Sequence, residues 1–395
     1  MNANENSGYK QSEAGMIPAD WKVHQLAELS GSIASGRSKV DAEFGQFPVF
    51  GSTGVIGYTN TPSHTGESIL VARVGANAGL LNSADGRYGV TDNTIAIRLK
   101  PGTDHTYCLL QLKRYGLNRL IFGSGQPLIT GTQLKSIPIP IPAREEQVKI
   151  VTALSEMEDL ISSLDQLIAK KRDIQQATMQ QLLSGQLRLP GFSGAWDIKP
   201  MRALGTTYGG LAGKTKINFG QGEARYIPFM NVMTDTVIDA SWLEPVDVAP
   251  DEAQNLAKKG DLFFNGSSET PQEVGFCSVL LEEIPNLYLN SFCFGFRFNT
   301  AAKVNGLFFA YWFRSKAGRA AMSILAQGAT RYNIAKSAFM QLEIPQPLEE
   351  EQTAIATVLS DMSAELVALE ARRDKARQLK QGMVQELLTG RIRLP

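Results

Sequence analysis

Two short polar loops carry the side chains best suited to chemistry in this chain: "GSGQPLI" at 123–129 and "GATRYNI" at 328–334. Their glycine and isoleucine stand at matching places, while Gln126 is exchanged for Arg331 and Leu128 for Asn333. Glutamine and asparagine can pair bidentately with adenine, and arginine with guanine, in a major groove. A constant frame with exchanged readers suits two domains that recognise different bases. Ser124 and Tyr332 belong to the same loops, and "RVGANAG" (73–79, with Arg73 and Asn77) and "GSSETP" (266–271, with Ser267 and Ser268) are further polar loop candidates. Both main loops lie in acid-free stretches. From Ile284 to Leu342 there is no acidic residue, but Arg297, Lys303, Arg314, Lys316, Arg319, Arg331 and Lys336 are basic. From His105 to Ala143 the same holds, with Lys113, Arg114, Arg119 and Lys135. Such stretches are what a phosphate backbone attracts. The blander reading, chance clustering on solvated faces and ordinary variable turns, is weakened by recurrence at equivalent places.

Other chemistry is missing. Gly75–Gly79 lacks the full dinucleotide-binding fingerprint, and "GSGQPLIT" has no lysine where a phosphate-binding loop needs one. No segment resembles an amino-methyltransferase or helicase motif, and Asp261 and Glu269 form no convincing nuclease cluster. The residues therefore predict recognition without catalysis, with no catalytic residue and no cofactor held by this chain. Cys108, Cys277 and Cys293 are isolated, and with only His24, His64 and His105 to join them they predict neither a disulfide framework nor a metal site. Lys plus Arg and Asp plus Glu are 39 each, so the whole molecule is no polycation and any affinity for nucleic acid must come from local asymmetry. The N-terminal stretch is polar and no apolar run reaches membrane-spanning length, which predicts a cytoplasmic protein that does not meet a membrane.

The elements that must position these loops show themselves as a repeat. Residues 142–190, ending "LLSGQLRLP", overlie residues 347–395, ending "LLTGRIRLP", at a constant offset of 205 without a gap. Each copy carries an apolar seam in steps of four and three: Ile150, Leu154, Met157, Ile161, Leu164 and Ile168 in the first, and Ile355, Leu359, Met362, Leu366 and Leu369 in the second. That spacing makes the narrow stripe of a two-helix coiled coil. Proline-rich segments ("IPIPIP", "IPQP") precede each helix, and Gly185 and Gly390 offer left-handed caps after it. Pairing of the two stripes within the chain is expected; the alternative is a coiled coil with a second chain.

The offset reaches back to Gly123/Gly328 and Ile139/Ile344, and Trp21…Leu29 matches Trp196…Leu204 at an offset of 175. The expected organisation is a flexible tail (1–16), a first head (17–141), the central repeat as spacer helix (142–190), a second head (191–346) and a C-terminal spacer helix (347–395). Short β-like runs broken by glycine, such as "SILVARVG" and "GDLFFNGSS", make both heads mixed α+β domains. The fold class is thus α+β, two globular heads joined by two long repeated helices in an antiparallel intramolecular coiled coil of pseudo-twofold plan.

A Trp-led head, an "IPIPIPAREEQ" entry, a long helix ending "LLSGQLRLP" and one repetition of the whole resembles the specificity (S) subunit of type I DNA restriction-modification enzymes, from about Ile17 to Pro395. The resemblance implies two target-recognition domains, each reading one half of a bipartite asymmetric site in double-stranded DNA. It also implies spacer helices that dock two copies of a modification subunit bringing S-adenosylmethionine, and restriction subunits, where present, that use ATP and Mg. A fused enzyme is the weaker alternative for want of motifs. A two-headed scaffold binding protein or sugar is the other, and salt-sensitive binding to random duplex would separate it from a DNA reader.

Overall fold

The computed structural model describes residues 8–40, 45–121 and 127–394. The chain divides into two compact units: Met1–Gln166 together with Ala371–Pro395, and Leu167–Glu370. Each unit is therefore assembled from one head, the root of the helix that follows it, and the far end of the other repeat.

In the first unit a four-stranded antiparallel sheet has the order Ser30–Ser35, Thr94–Leu99, Ser68–Ala72, Leu81–Ala84. All five residues of "SILVA" are buried, so this strand is apolar on both faces rather than alternating. A second sheet runs in the order Gly54–Thr59, Phe47–Gly51, Arg87–Val90, His64–Thr65, and Phe47–Gly51 lies parallel to Arg87–Val90. Helix His105–Tyr115 is capped by the Asp104 carboxylate, which accepts from Tyr107 N at 2.8 Å, and ends at Gly116 in a left-handed conformation (φ 72°). It packs Cys108 and Leu112 into a core with Ile69, Val71, Ile95 and Ile97.

The second unit repeats the plan. Its main sheet has the order Gly205–Gly209, Cys293–Phe298, Leu262–Asn265, Cys277–Val279, and its second sheet pairs Phe219–Ile227 parallel to Leu287–Leu289. Here the core is aromatic: the Phe264 ring centroid lies 4.9 Å from both Phe313 and Phe339. In each unit a short edge pair joins the strand after the tryptophan to the proline strand before the long helix, Lys22–Gln25 with Pro138–Ile141 and Asp197–Pro200 with Glu343–Gln346.

The long helices are Arg144–Leu183 and Glu349–Leu387, of 40 and 39 residues. They pair within the chain and run antiparallel. In the first unit Glu158 faces Lys380 and Asp165 meets Arg377 at 2.8 Å; in the second Lys171 meets Glu365 at 2.7 Å and Gln175 donates to Ser363 at 2.8 Å. Of the seam, Ile150, Leu154, Ile161, Leu164, Ile168, Ile355, Leu359 and Leu366 are buried, and Met157, Met362 and Leu369 half-buried.

The two "LL-x-G" phrases close the units crosswise. In the first unit the C-terminal Arg393 donates to Glu146 (2.8 and 2.6 Å) and to Asp20, and Trp21 Nε1 donates to the same Glu146 carboxylate at 3.2 Å. In the second, Arg188 donates to Glu351 (2.5 and 2.7 Å) and Trp196 Nε1 donates to it at 3.0 Å. Gln147 and Gln352, next in sequence, each bond back to the carbonyl of the proline that opens their helix, Pro142 and Pro347, at 2.9 and 2.8 Å. A Cβ at Gly390 would come within 2.4 Å of Pro18, so this position needs glycine for space as well as for its φ of 69°.

One expectation is corrected. The polar stretch read as a flexible tail forms, from Tyr9 onward, a hairpin of Tyr9–Ser12 with Gly15–Pro18. Its turn is closed by Ser12 and by Gly15 at φ 96°, and the Tyr9 hydroxyl donates to the carbonyls of Gly390 and Arg391. Partners at the far end of the chain hold it, the hydroxyl contacts of Tyr9 being joined by burial of Ile17 against Leu387 and Leu388.

Candidate nucleic-acid interface

The buried strand Ser68–Ala72 delivers the first polar loop at its end. Arg73 O accepts from Ile129 N at 2.8 Å, Gly75 N donates to Pro127 O at 3.1 Å, and Val74 bridges Leu128. The "RVGANAG" turn and the end of "GSGQPLI" thus form one surface. In the second unit the buried strand Leu262–Asn265 ends in the same way: Gly266 O accepts from Ile334 N at 3.1 Å, and Ser267 pairs with Asn333. Arg73 and Gly266 are equivalent, as are Leu128 and Asn333. Sequence comparison aligned these turns poorly because backbone bonds carry the equivalence and side chains do not.

Asn265, which sequence reasoning missed, fixes the second loop from below. Fully buried, it donates to Glu273 O at 2.9 Å and accepts from Phe276 N at 2.6 Å. Buried amides of this kind are hydrogen-bonded because an unpaired one costs about 1–3 kcal/mol. An asparagine ending an apolar run just before "GSS" was the available signal.

The predicted residues fall into three groups. Asn77, Lys113, Lys135, Lys316, Arg331, Asn333 and Lys336 are exposed. Arg73, Arg114, Ser268 and Tyr332 are half-buried and Ser267 is buried; the Ser268 hydroxyl is engaged with Glu273 at 3.2 Å. Ser124 and Gln126 lie outside the described residues. Arg331 lies over the Phe292 ring, 5.8 Å from its centroid.

Part of the basic stretch is corrected. Arg314 does not present its charge to solvent: it donates to the carbonyls of Cys277 (2.6 Å), Val232 (2.8 Å) and Asp235 (2.6 Å). Arg319 likewise spans Gly275 O and Val274 O over the Phe276 ring, and burial lowers it to about 10. Arg297 is paired with Asp261. Guanidinium forks satisfy several carbonyls of irregular loops at once, a use that residue type alone does not disclose. Arg114, its guanidinium lowered by burial, donates to Gln111, which in turn donates to Leu388 O. Among the described residues of the two stretches, the exposed cations are thus Lys113, Lys135 and Arg119 (over Tyr115) in the first unit and Lys303, Lys316, Arg331 and Lys336 in the second.

Among the described residues no group of three His, Cys, Asp or Glu side chains could hold a metal, and no helix is long and apolar enough to cross a membrane. The three cysteines are buried, and burial pushes each thiol up, Cys108 and Cys293 to about 12.

The family model of the type I restriction modification DNA specificity domain matches residues 18–170 and again 256–379. The chain belongs to this family. As a type I specificity subunit it is the DNA sequence-recognition component, and the non-catalytic one, of its system. Among similar proteins, the type I restriction enzyme MjaVIII specificity subunit of Methanocaldococcus jannaschii is 23% identical, spanning 99% of this chain and 97% of that one. The type I restriction enzyme EcoprrI specificity subunit of Escherichia coli is 27% identical over 121 residues, 31% of this chain and 30% of that one. The fold is shared with solved type I S subunits. That from M. genitalium has a TM-score of 0.57 at 15% identity, covering 93% of this chain and 96% of that one. The HsdS subunit from Thermoanaerobacter tengcongensis has 0.53 at 16%, covering 98% and 100%.

Proposed function

We propose that each head, 17–141 and 191–346, reads one half of a bipartite, asymmetric site in double-stranded DNA. The observation that carries this reading is the repeated backbone stitch: Ile129 to Arg73 in one head and Ile334 to Gly266 in the other, with different side chains mounted on the same frame. Free lysines beside each loop contact phosphates and fix the register, and the loop side chains meet base edges. The helices, about 60 Å long at 1.5 Å per residue, set the gap between half-sites. They also offer equivalent docking places to two modification subunits, which bring S-adenosylmethionine and methylate adenine at N6. Restriction subunits, where the system has them, add ATP and Mg, and the assembly works in the cytoplasm. This chain itself supplies geometry and specificity.

The test is co-expression with the modification subunit followed by sequencing of genomic adenine methylation. One asymmetric motif of two defined half-sites around an unspecified gap is expected. A contiguous or palindromic motif would overturn the reading.

A further inference from the structure

In both heads a third turn is tied to the two already described. Arg73, whose carbonyl accepts from Ile129, donates its own N–H to Asn93 O at 3.0 Å; Gly266, whose carbonyl accepts from Ile334, donates to Phe292 O at 2.9 Å. One residue in each head therefore bridges three segments side by side. The third turn is itself built alike. Thr91 N donates to Phe50 O and Asn290 N to Ile227 O, at 3.0 and 3.2 Å, and Thr94 and Cys293 close back onto Thr91 and Asn290. Asn93 and Phe292 thus occupy one structural position, at the entry of the central strand of each main sheet.

Among the described residues neither side chain is buried in a core. Asn93 is exposed. Phe292 leaves 57% of its surface in solvent, although its backbone is held rigidly by the buried Asn290, whose Oδ1 accepts from Phe292 N at 2.9 Å. An aromatic ring fixed outside a core is informative, because it gains nothing from burial until a partner covers it. Arg331, from the neighbouring turn, already lies over that ring. An asparagine amide suits adenine, and an apolar ring suits the methyl group of thymine.

We infer that the turns 91–93 and 290–292 are a third base-reading segment of each head, with Asn93 and Phe292 as specificity-determining residues for opposite half-sites. In this arrangement Asn93 pairs with one adenine in the half-site of the first head. Phe292 contacts a thymine methyl in the other half-site and orients the Arg331 guanidinium beside it. The inference rests on the reading of the heads as DNA readers.

The experiment uses the whole chain in complex with its modification subunit. The wild-type methylation motif is established first, and failure to find two half-sites there would remove the underlying reading, not this inference alone. Purified complexes are then competed against duplexes changed at each base of that motif. Asn93→Ala should lose roughly tenfold discrimination at one base pair of one half-site, with the other half-site read as before. Phe292→Ala should relax the opposite half-site at one or two adjacent positions, while Phe292→Tyr, which keeps the ring, retains discrimination. Unchanged discrimination profiles for Asn93→Ala and Phe292→Ala would overturn the inference. So would an equal loss of affinity for every duplex, or a Phe292→Tyr profile no better than that of Phe292→Ala.

Discussion

Leu388 and Leu183 occupy the same place in the two repeated phrases, yet truncating them should damage different units. Leu388, fully buried, shares a cluster with Ile17, Trp21, Tyr107, Ile150 and Leu154 in the first unit. Leu183 shares one with Ile355, Leu359 and Phe308 in the second. Leucine-to-alanine changes at such sites cost about 3 kcal/mol, from lost transfer energy and the cavity left behind. For units of this size each kcal/mol moves the midpoint by about 2–4 °C, so a fall of roughly 6–12 °C is expected in the affected unit. Hydrogen exchange followed by peptide mass spectrometry assigns the loss to a unit. Leu388→Ala, near the end of the chain, should lower protection in strands Ser68–Ala72 and Thr94–Leu99; Leu183→Ala should lower it in Leu262–Asn265 and Cys293–Phe298. The reverse assignment, with each leucine supporting the head that precedes it in sequence, would refute the crosswise closure.

Four further outcomes follow from particular side chains and from the length of the helices. Arg314→Ala, which strips several carbonyls of their donor, should cost about 3 kcal/mol in denaturant titration without altering base preference. Lys336→Ala should change stability by less than about 0.5 kcal/mol yet reduce the salt dependence of DNA binding by about one phosphate contact; the opposite pattern would return Arg314 to the surface role first assigned to it. Removing one heptad from each long helix shortens it by roughly 10 Å, or about three base pairs at 3.4 Å each, so the methylated motif should tolerate a shorter gap, and an unchanged gap would end the spacer role. The hydrogen bond from Arg393 holds the Asp20 carboxyl below its ordinary 3.8. The stability this contributes to the first unit is present above that ordinary value and is lost as pH falls through the lowered one. Asp20→Asn should therefore flatten the acid limb of unfolding, and an unaltered limb would show the contact to be without effect.

The frame was legible from sequence because it is repeated. Seam leucines and isoleucines at heptad spacing, proline before and glycine after, specify helix and partner together. What stayed hidden depends on distance along the chain. Similarity between two phrases is symmetric, so it could not say that Arg188 serves Glu351 or that Arg393 serves Glu146. The hairpin at Tyr9 looked like a tail because its partners are Gly390 and Arg391. In the heads, charge type singled out Lys336 and Arg331, which are exposed, together with Arg314 and Arg319, whose targets are carbonyls with no sequence signature. Equivalence of Arg73 with Gly266, and of Asn93 with Phe292, is written only in main-chain hydrogen bonds.

The most direct test of one head for each half-site compares genomic methylation in cells expressing the modification subunit with either the wild-type chain or Arg331→Ala. Degeneracy confined to one half-site, with the other half-site and the gap unaltered, is the predicted result. Changes in both half-sites together would contradict it.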